Sequence, residues 1–288
     1  MNWALVDRLV ADALREDVAS GDLTTEALIG EADRARGEIW AQSRAVVCGL
    51  PVAERVFRAL DPQIRLQSPV GEGGEVAEGE LVAIAEGQAR ALLTGERCAL
   101  NFLQRLSGIA TLTRQFVNAV GDAPVRILDT RKTTPLLRLL EKYAVRVGGG
   151  HNHRMGLHDG VLIKDNHIAL VGSVREAVLR AKQRCPHGMR VQVEVANLAQ
   201  AEEALSAGAD ALLADNMSAE EVRRVVEAAK GRAFVEASGG VTLVSVAEFA
   251  AAGVDAISVG ALTHSAPAAN FSLLLRPLQT GEEIVKKF

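Results

Sequence analysis

The chain has 288 residues, of which 48% are hydrophobic and 24% are charged, and it carries a formal net charge of -4 at pH 7. This length accommodates one large domain or two modest ones, and the composition is ordinary for a globular protein. Proteins that bind nucleic acid are usually basic, so the charge balance argues against that class. An anion-binding site remains compatible with an acidic chain if the positive charges are gathered in one place.

The spacing of the cysteines and the lengths of the apolar segments indicate the cellular compartment of the protein. Cys48, Cys98 and Cys185 are far apart in the sequence, and they form neither a zinc-binding spacing nor a disulfide framework, which fits a reducing cytosol. Residues 1–15 alternate charged and apolar side chains, which predicts an amphipathic helix rather than a signal peptide. No apolar run approaches the length of a membrane span. We therefore expect a cytoplasmic protein with no membrane partner.

The first third of the chain predicts a mixed α and β domain. Apolar positions at helical spacing, turn residues and short apolar runs define its elements. In chain order these are a helix over Trp3–Glu16, a helix from Thr24, a strand over Arg36–Val47, a helix over Pro51–Ala59, strands over Ile64–Ser68 and Leu81–Glu86, a helix over Ala89–Leu106, and, after Ser107-Gly108, another over Ile109–Val120.

From about Val125 the pattern changes to short apolar strands that alternate with helices. Repeated units of this kind predict a parallel sheet with right-handed crossovers, and seven in series favour an incomplete β/α barrel of the TIM type. The predicted strands are Val125–Thr130, Ala144–Val147, Val161–Lys164, Arg190–Val195, Ala211–Ala214, Ala233–Ala237 and Ala256–Val259.

These elements predict three parts of the chain. Residues 1–108 form an N-terminal α/β domain, and residues 109–266 form the barrel that carries the chemistry. Residues 267–288 show no strand pattern, but their apolar segment Phe271–Leu275 should pack against something, and we expect this to be the N-terminal domain.

Reactive side chains of β/α barrels lie at the carboxyl ends of the strands. Residues 131–167, which follow the first three predicted strands, hold seven of the lysines and arginines, only three acids and four of the six histidines. Several cations on one rim make a pocket for a compact polyanion, and arginine pairs carboxylates bidentately. The strand ends on this side of the rim give Asp129, Thr130, Arg131 and Lys132, then residues 148–154, which include His153 and Arg154, and then Lys164 with residues 165–167.

The later strand ends have a different character. Glu194 and Asp215 stand at two successive ends, and carboxylates beside a phosphate site commonly hold Mg²⁺. Ser238-Gly239-Gly240 and Gly260 follow, where backbone N–H groups of late barrel loops often bind phosphate. The two sides together predict a transferase of phosphorylated sugars or a lyase that acts on a phosphorylated substrate.

Long motifs along nearly the whole chain resemble the quinolinate phosphoribosyltransferases. Joint motifs of this length are far more specific than a lone glycine-rich loop. They are residues 21–25 (GDLTT), 95–97 (GER), 106–111 (LSGIAT), 129–135 (DTRKTTP), 141–145 (EKYAV), 148–154 (GGGHNHR), 162–167 (LIKDNH) and 236–240 (EASGG).

The resemblance implies an enzyme of NAD biosynthesis with an N-terminal α/β open-faced sandwich and a barrel short of eight units. It transfers the phosphoribosyl group of phosphoribosyl pyrophosphate to quinolinate with decarboxylation, and it releases nicotinate mononucleotide, pyrophosphate and CO₂. It also implies a homodimer in which each Arg97 reaches into the partner's site. These dimers could assemble further into hexamers.

The resemblance also implies residue roles. Arg131, Lys132, His153, Arg154 and Lys164 would hold quinolinate, with Thr130 at the same strand end. Glu194 and Asp215 would position phosphoribosyl pyrophosphate with its Mg²⁺, and the 5′-phosphate would lie on Ser238, Gly239, Gly240 and Gly260. Of these residues, Lys132, Lys164, Glu194 and Asp215 are the predicted catalytic groups.

The chain departs from the family at one position. Leu136 follows Thr133-Thr134-Pro135, where the family usually has glycine. This departure bears on the shape of the loop, because glycine adopts backbone conformations that leucine disfavours. No charged role is involved.

Other functions fit parts of the pattern. Lys164 alone would suit a Schiff-base aldolase, although a clamp of several cations argues against that chemistry. A nicotinate phosphoribosyltransferase would bind a monocarboxylate, and a paralogue from molybdenum transport operons also resembles the family. A non-catalytic anion-binding protein would have no need of Glu194 and Asp215 beside a phosphate loop. Some of the charged residues could instead be ordinary surface or ion-paired groups.

Overall fold

A computed structural model describes residues 1–278 of the chain. The chain divides into two compact units, the first formed by residues 1–111 with the segment from Pro267 and the second by Leu112–Ala266. None of the helices in residues 1–278 combines the length and apolar character that a membrane span needs.

The first unit is built from helices and a short antiparallel sheet. Val6, Val10 and Leu14 recur every four residues on α1 and are buried, and α1 packs against α3. The elements are α1 (Trp3–Val18), α2 (Leu23–Leu28), β1 (Arg34–Ala41), β2 (Ala45–Val46), α3 (Leu50–Leu60), β3 (Arg65–Gln67), β4 (Glu75–Val76), β5 (Leu81–Gln88) and α4 (Ala89–Ala119), which continues into the second unit.

Two features of this unit differ from the prediction. The chain bends after Ala41, so the predicted strand over Arg36–Val47 becomes two strands, β1 and β2. Ser107-Gly108 does not break the helix, and α4 runs through it. The hydroxyl of Ser107 accepts from and donates to the backbone of Cys48, and a side chain at position 108 would overlap the carbonyl of Pro267. These two residues therefore serve close packing, not a turn.

The second unit is the β/α unit that the sequence predicts. Its six strands form one parallel sheet in the order β6-β11-β10-β9-β8-β7. The elements are β6 (Arg126–Leu128), α5 (Arg138–Val147), β7 (Val161–Ile163), α6 (Asp165–Val171), α7 (Val174–Arg184), β8 (Val191–Val195), α8 (Leu198–Ser206), β9 (Ala211–Asp215), α9 (Ala219–Ala229), β10 (Phe234–Ser238), α10 (Val246–Ala251), β11 (Ala256–Ser258) and α11 (Ala261–His264).

The strand predicted over Ala144–Val147 is wrong, because these residues form the last turn of α5. Leu140, Ala144 and Val145 are buried at helical spacing, and four apolar residues before a glycine run do not by themselves distinguish a helix from a strand. The edge strand β6 instead meets His151 through a single parallel bridge from Leu128. The sheet thus has six strands, which is consistent with an incomplete barrel and confirms the predicted fold class.

The segment after residue 267 contains a strand that the sequence analysis did not predict. Strand β12 (Phe271–Pro277) pairs antiparallel with β1 and completes a sheet of order β12-β1-β5-β3 in the first unit. Its alternating burial places Phe271 and Leu273 inside. Such a pattern becomes recognisable as a strand only when a partner edge is known. The remainder of the predicted C-terminal segment lies outside the described residues.

Candidate active site

The register of the parallel sheet brings the predicted strand-end residues onto one face. Glu194 of β8 is level with Leu213 of β9, and Asp215 of β9 is level with Ser238 of β10. Neighbours in register point to the same side of a sheet, and so do residues two apart on one strand. Glu194, Asp215 and Ser238 therefore share a face at the carboxyl ends of three adjacent strands.

Lys164 joins this face from the edge strand β7. It follows Ile163, the last residue of the strand, and its backbone N–H donates to His167 Nδ1 at 2.9 Å in the first turn of α6. Its ammonium Nζ lies 3.0 Å from Glu194 Oε2. The Glu194 side chain is 13% exposed whereas that of Lys164 is 47% exposed, so the pair lies at the mouth of the site with the cation outward.

Arg131 and Arg154 form the cationic part of the site. Both are half-buried, and neither forms an ion pair with a carboxylate among residues 1–278. Burial, together with the neighbouring charge of Arg131, lowers the pKa of Arg154. Arg131 Nε is buried without a hydrogen-bond partner, and Arg154 donates to the carbonyl of Gly160 at 2.8 Å. Two such guanidinium groups favour an added anion.

His153 lies between this cationic part and the sheet. Its Nδ1 accepts the backbone N–H of Arg154 at 2.7 Å, and its Nε2 lies 3.5 Å from Glu236 Oε2. Because Nδ1 is an acceptor, Nε2 carries the hydrogen of the neutral ring. The basic partner of Glu236 is therefore His153, from a different strand end.

A buried network that the sequence analysis missed anchors the His153 segment. The ammonium of Lys142 on α5 forms an ion pair with Asp129, directly after β6, and both side chains are 0% exposed. Asp129 also accepts from Asn152 Nδ2 at 2.5 Å and from the backbone N–H of His153 at 2.9 Å. Lys142 donates in addition to the carbonyl of His153 at 3.0 Å. The pair thus fixes the backbone that presents Arg154.

Burial dominates the protonation of that pair. It raises the pKa of Asp129 and lowers the pKa of Lys142, and the attraction between the two groups opposes both shifts. The signal in the sequence was a lysine among the apolar positions of a helix, since a buried lysine requires a partner. Which acid would pair with it depends on the tertiary fold.

The loop after β6 is fixed from α5. Buried Glu141 accepts from the backbone and the hydroxyl of Thr134 at 3.0 and 2.7 Å, and Arg138 donates to the carbonyl of Arg131 at 3.3 Å. Leu136 adopts a left-handed conformation with φ of 67° and is 82% exposed. The loop therefore keeps a glycine-type backbone at the position where this chain has leucine.

Lys132 lies beside the last strand end. Its N–H donates to the hydroxyl of Thr130 at 3.0 Å, and its carbonyl accepts from Thr263 Oγ1 at 2.8 Å. A Cβ built on Gly260 would lie 3.2 Å from Lys132 Cδ. The structure thus brings Lys132 and Gly260 together from the two neighbouring strands β6 and β11.

The predicted phosphate loop has the backbone that such a role requires. Gly239 and Gly240 have φ of 90° and 62°, and a Cβ on Gly239 would overlap Asn216 Oδ1 and lie 2.7 Å from its backbone N. Only glycine fits at position 239. Asn216, itself at φ of 54°, donates its N–H to the carbonyl of Ser238 at 2.9 Å.

Glu194 and Asp215 are the predicted metal ligands. Asp215 Oδ2 accepts from Asn216 Nδ2 at 2.7 Å and Glu194 Oε2 is paired with Lys164, but the second oxygen of each carboxylate has no hydrogen-bond donor among residues 1–278. Within the same residues, no three His, Cys, Asp or Glu side chains cluster as a metal cage. This arrangement fits Mg²⁺, which is commonly held by one or two carboxylates with substrate phosphates and water.

Arg97 lies apart from these residues in the chain. It is on α4 in the first unit, and its side chain is exposed to solvent. It makes no ion pair or hydrogen bond with the rest of residues 1–278.

Comparisons with known proteins cover both units. A family model described as the quinolinate phosphoribosyl transferase C-terminal domain matches residues 109–274, and the N-terminal domain of the same family matches residues 22–107. A "probable nicotinate-nucleotide pyrophosphorylase [carboxylating]" of Bacillus subtilis is 43% identical over 273 residues, which are 95% of this chain and 94% of that protein. The human nicotinate-nucleotide pyrophosphorylase [carboxylating] is 40% identical over 272 residues, with 93% and 90% covered.

Solved structures give the same result. The crystal structure of NadC from Streptococcus pyogenes has a TM-score of 0.93 and 44% identity, and the alignment covers 97% of this chain and 99% of that one. The human nicotinic acid phosphoribosyltransferase shares the fold alone, with a TM-score of 0.61 at 14% identity. By both of its domain models and by its close relatives, this chain belongs to the quinolinate phosphoribosyltransferase family.

Proposed function

We propose that this chain acts as its family does. It transfers the phosphoribosyl group of phosphoribosyl pyrophosphate to the ring nitrogen of quinolinate, with loss of one carboxyl group as CO₂. The products are nicotinate mononucleotide and pyrophosphate, so the enzyme is a pentosyltransferase of NAD biosynthesis. We place it in the cytoplasm.

One observation carries the assignment of the acceptor substrate. Arg131 and Arg154 are half-buried cations beside each other, and neither forms an ion pair with a carboxylate among residues 1–278, although Asp159 lies close enough to attract Arg154. A dicarboxylate supplies two anionic groups that such a pair can bind bidentately, and each charge-assisted hydrogen bond contributes about 1.5–3 kcal/mol. The family resemblance assigns Lys132, His153 and Lys164 to the same substrate, together with Thr130. A monocarboxylate such as nicotinate would leave part of this charge uncompensated.

The donor substrate lies on the other side of the face. Glu194 and Asp215 position phosphoribosyl pyrophosphate with its Mg²⁺, and Ser238, Gly239, Gly240 and Gly260 bind the 5′-phosphate through backbone N–H groups that glycine leaves accessible. When bound, Mg²⁺ neutralises charge on the pyrophosphate as it leaves. Lys164, paired with Glu194 at 3.0 Å, lies where the two substrates meet.

The chemistry follows from placement and charge. The ring nitrogen attacks the anomeric carbon as the bond to pyrophosphate breaks, and the cations Lys132 and Lys164 stabilise the leaving charge. The quaternary nitrogen then accepts electron density from the adjacent carbon, so the carboxylate on that carbon leaves as CO₂. A proton replaces it. Arg131 and Arg154 hold the ring in position through both steps.

Carboxyl-labelled quinolinate tests this function. We expect one CO₂ per nicotinate mononucleotide when quinolinate, phosphoribosyl pyrophosphate and Mg²⁺ are present, and little product when nicotinate replaces quinolinate. Product from nicotinate alone would shift the assignment to a monocarboxylate enzyme. Binding of quinolinate without product would indicate a non-catalytic anion-binding protein.

Arg154→Lys tests the cation pair. Lysine keeps the charge but loses the bidentate geometry, so we expect the KM for quinolinate to rise about tenfold or more while the KM for phosphoribosyl pyrophosphate stays within about twofold. Arg190→Lys is a matched control, because Arg190 is exposed and precedes β8 at the opposite end of the sheet. Equal changes in both KM values would contradict the assignment of Arg154 to quinolinate.

We also propose that the enzyme is a homodimer that completes its site with Arg97 of the neighbouring subunit. The support is the family resemblance together with an exposed arginine that has no ion-pair or hydrogen-bond partner among residues 1–278. Arg97→Ala and Lys164→Ala should each be nearly inactive alone. Mixed and re-equilibrated, they should regain about a quarter of the activity, because half of the dimers are then hybrids with one intact site of two. No recovery, with subunit exchange shown by mass, would refute a shared site.

A further inference from the structure

Glu236 is a buried carboxylate in the second-unit sheet to which no role has been assigned. It lies on β10 at 2% exposed, level with Leu213 of β9 and Ala256 of β11. Burying a carboxylate is costly unless it is paired and hydrogen-bonded. The basic side chain that contacts it among residues 1–278 is that of His153, whose Nε2 lies 3.5 Å from Glu236 Oε2, so the energetics of Glu236 and His153 are linked.

The side chains of Gln192 and His153 both approach the same oxygen of Glu236. Gln192 of β8 donates its amide to Oε2 at 2.8 Å, and His153 Nε2 lies 3.5 Å from that atom. The other oxygen, Oε1, is buried and accepts no hydrogen bond from the residues that the structure describes. A buried acceptor that no protein donor reaches is costly to the fold, so Oε1 marks Glu236 as more than a packing residue.

His153 passes this contact on to the cationic part of the site. Since its Nδ1 accepts the backbone N–H of Arg154 at 2.7 Å, the hydrogen of the neutral ring is on Nε2, the atom that lies 3.5 Å from Glu236 Oε2. A ring with the hydrogen on Nδ1 would oppose the N–H of Arg154. A continuous set of contacts thus runs from Gln192 through Glu236 and His153 to the backbone of Arg154.

We propose that Glu236, fixed by Gln192, is a positioning residue for quinolinate. It selects the Nε2–H form of His153, and His153 then holds the Arg154 backbone so that the guanidinium meets a substrate carboxylate. The inference rests on the proposed function, because that function places quinolinate at Arg154. It predicts that loss of the acceptor at position 236 weakens quinolinate binding, because Arg154 is less well positioned, and leaves the binding of phosphoribosyl pyrophosphate unchanged.

Nitrogen-15 NMR of the full chain, with labelled histidine, tests the first part directly. The six histidines are few enough to resolve, and the His153 signal is assigned by its loss in His153→Asn. We expect the wild-type ring to show the hydrogen on Nε2, and Glu236→Leu to shift it towards a mixture of forms. Glu236→Gln keeps an acceptor oxygen and should retain the wild-type signature. A wild-type His153 with its hydrogen on Nδ1 would overturn the proposal.

Steady-state kinetics tests the second part. For Glu236→Leu we expect the KM for quinolinate to rise about tenfold, while the KM for phosphoribosyl pyrophosphate stays within about twofold of wild type. For Glu236→Gln we expect the KM for quinolinate to stay close to the wild-type value. Asp210→Asn is a matched control, since it removes an ion-paired carboxylate from the opposite end of the same sheet. Equal effects of Glu236→Leu and Asp210→Asn on the KM for quinolinate would indicate a merely structural role.

The two readouts separate this inference from the proposed function. If wild-type protein converted no quinolinate, the proposed function would fail while the NMR signature still reported on Glu236 and His153. If Glu236→Leu did not fold, the wild-type signature and the kinetics of Glu236→Gln would still decide. An unchanged His153 signal in a folded Glu236→Leu variant would refute the positioning role.

Discussion

Replacement of Lys142 by methionine should strongly destabilise the second unit. The methionine keeps most of the buried volume but removes the ammonium that pairs with Asp129 and donates to the carbonyl of His153. Asp129, 0% exposed, would retain donors from Asn152 and the His153 backbone but no cation. Leaving a buried charge unpaired costs about 3–5 kcal/mol, a large part of the roughly 5–15 kcal/mol that stabilises a typical protein.

Urea unfolding at pH 7.5, followed by circular dichroism, measures this loss. Because the chain divides into two compact units, each transition that the unfolding curve resolves is fitted on its own. The double variant Asp129→Asn with Lys142→Met removes both charges, and we expect it to be less destabilised than Lys142→Met alone. The reasoning would be refuted if Lys142→Met lost less than about 1 kcal/mol, or if the double variant were no better.

The same variant has a predicted pH dependence. Burial already raises the pKa of Asp129, and loss of the Lys142 charge raises it further. The folded variant then binds a proton more readily than the unfolded chain, so its stability increases as pH falls through the folded pKa towards the unfolded value of about 3.9. We therefore expect the deficit relative to wild type to be smaller at pH 5 than at pH 7.5.

Two further changes test the loops of the site. Leu136→Gly should raise the free energy of unfolding by about 0.5–1 kcal/mol, because a φ of 67° costs leucine about 1–2 kcal/mol and the greater unfolded-state entropy of glycine offsets only part of that relief. Leu136→Ala keeps the strained backbone and should not raise the stability. A lower melting temperature for the glycine variant would contradict this. Gly239→Ala would place a Cβ against Asn216, so calorimetry should show about 1–3 kcal/mol less stability and kinetics a higher KM for phosphoribosyl pyrophosphate. Gly188→Ala is the control, because Gly188 also has a positive φ but no described atom lies close to its Cβ position. Equal effects of the two glycine variants would refute the argument.

Much of the site could be predicted from the sequence because strand ends are readable locally. Short apolar runs followed by polar groups placed Lys164, Glu194 and Asp215 at strand ends, and a parallel sheet brings its carboxyl ends to one edge. The family motifs added residue roles, which stay predictions. The Leu136 departure was visible in the sequence as a leucine in place of glycine, although its φ of 67° was not.

Only the tertiary structure decided which distant residues meet. The sequence by itself determined periodicity, and hence helices, most strands and the cation-rich segment, because these depend on neighbours within about four positions. The pairing of Lys142 with Asp129 and of Gln192 with Glu236, and the docking of β12 on β1, join residues 13, 44 and more than 200 positions apart. Buried charges and unpaired strand edges require partners, but the identity of each partner follows from the register and packing of the whole fold.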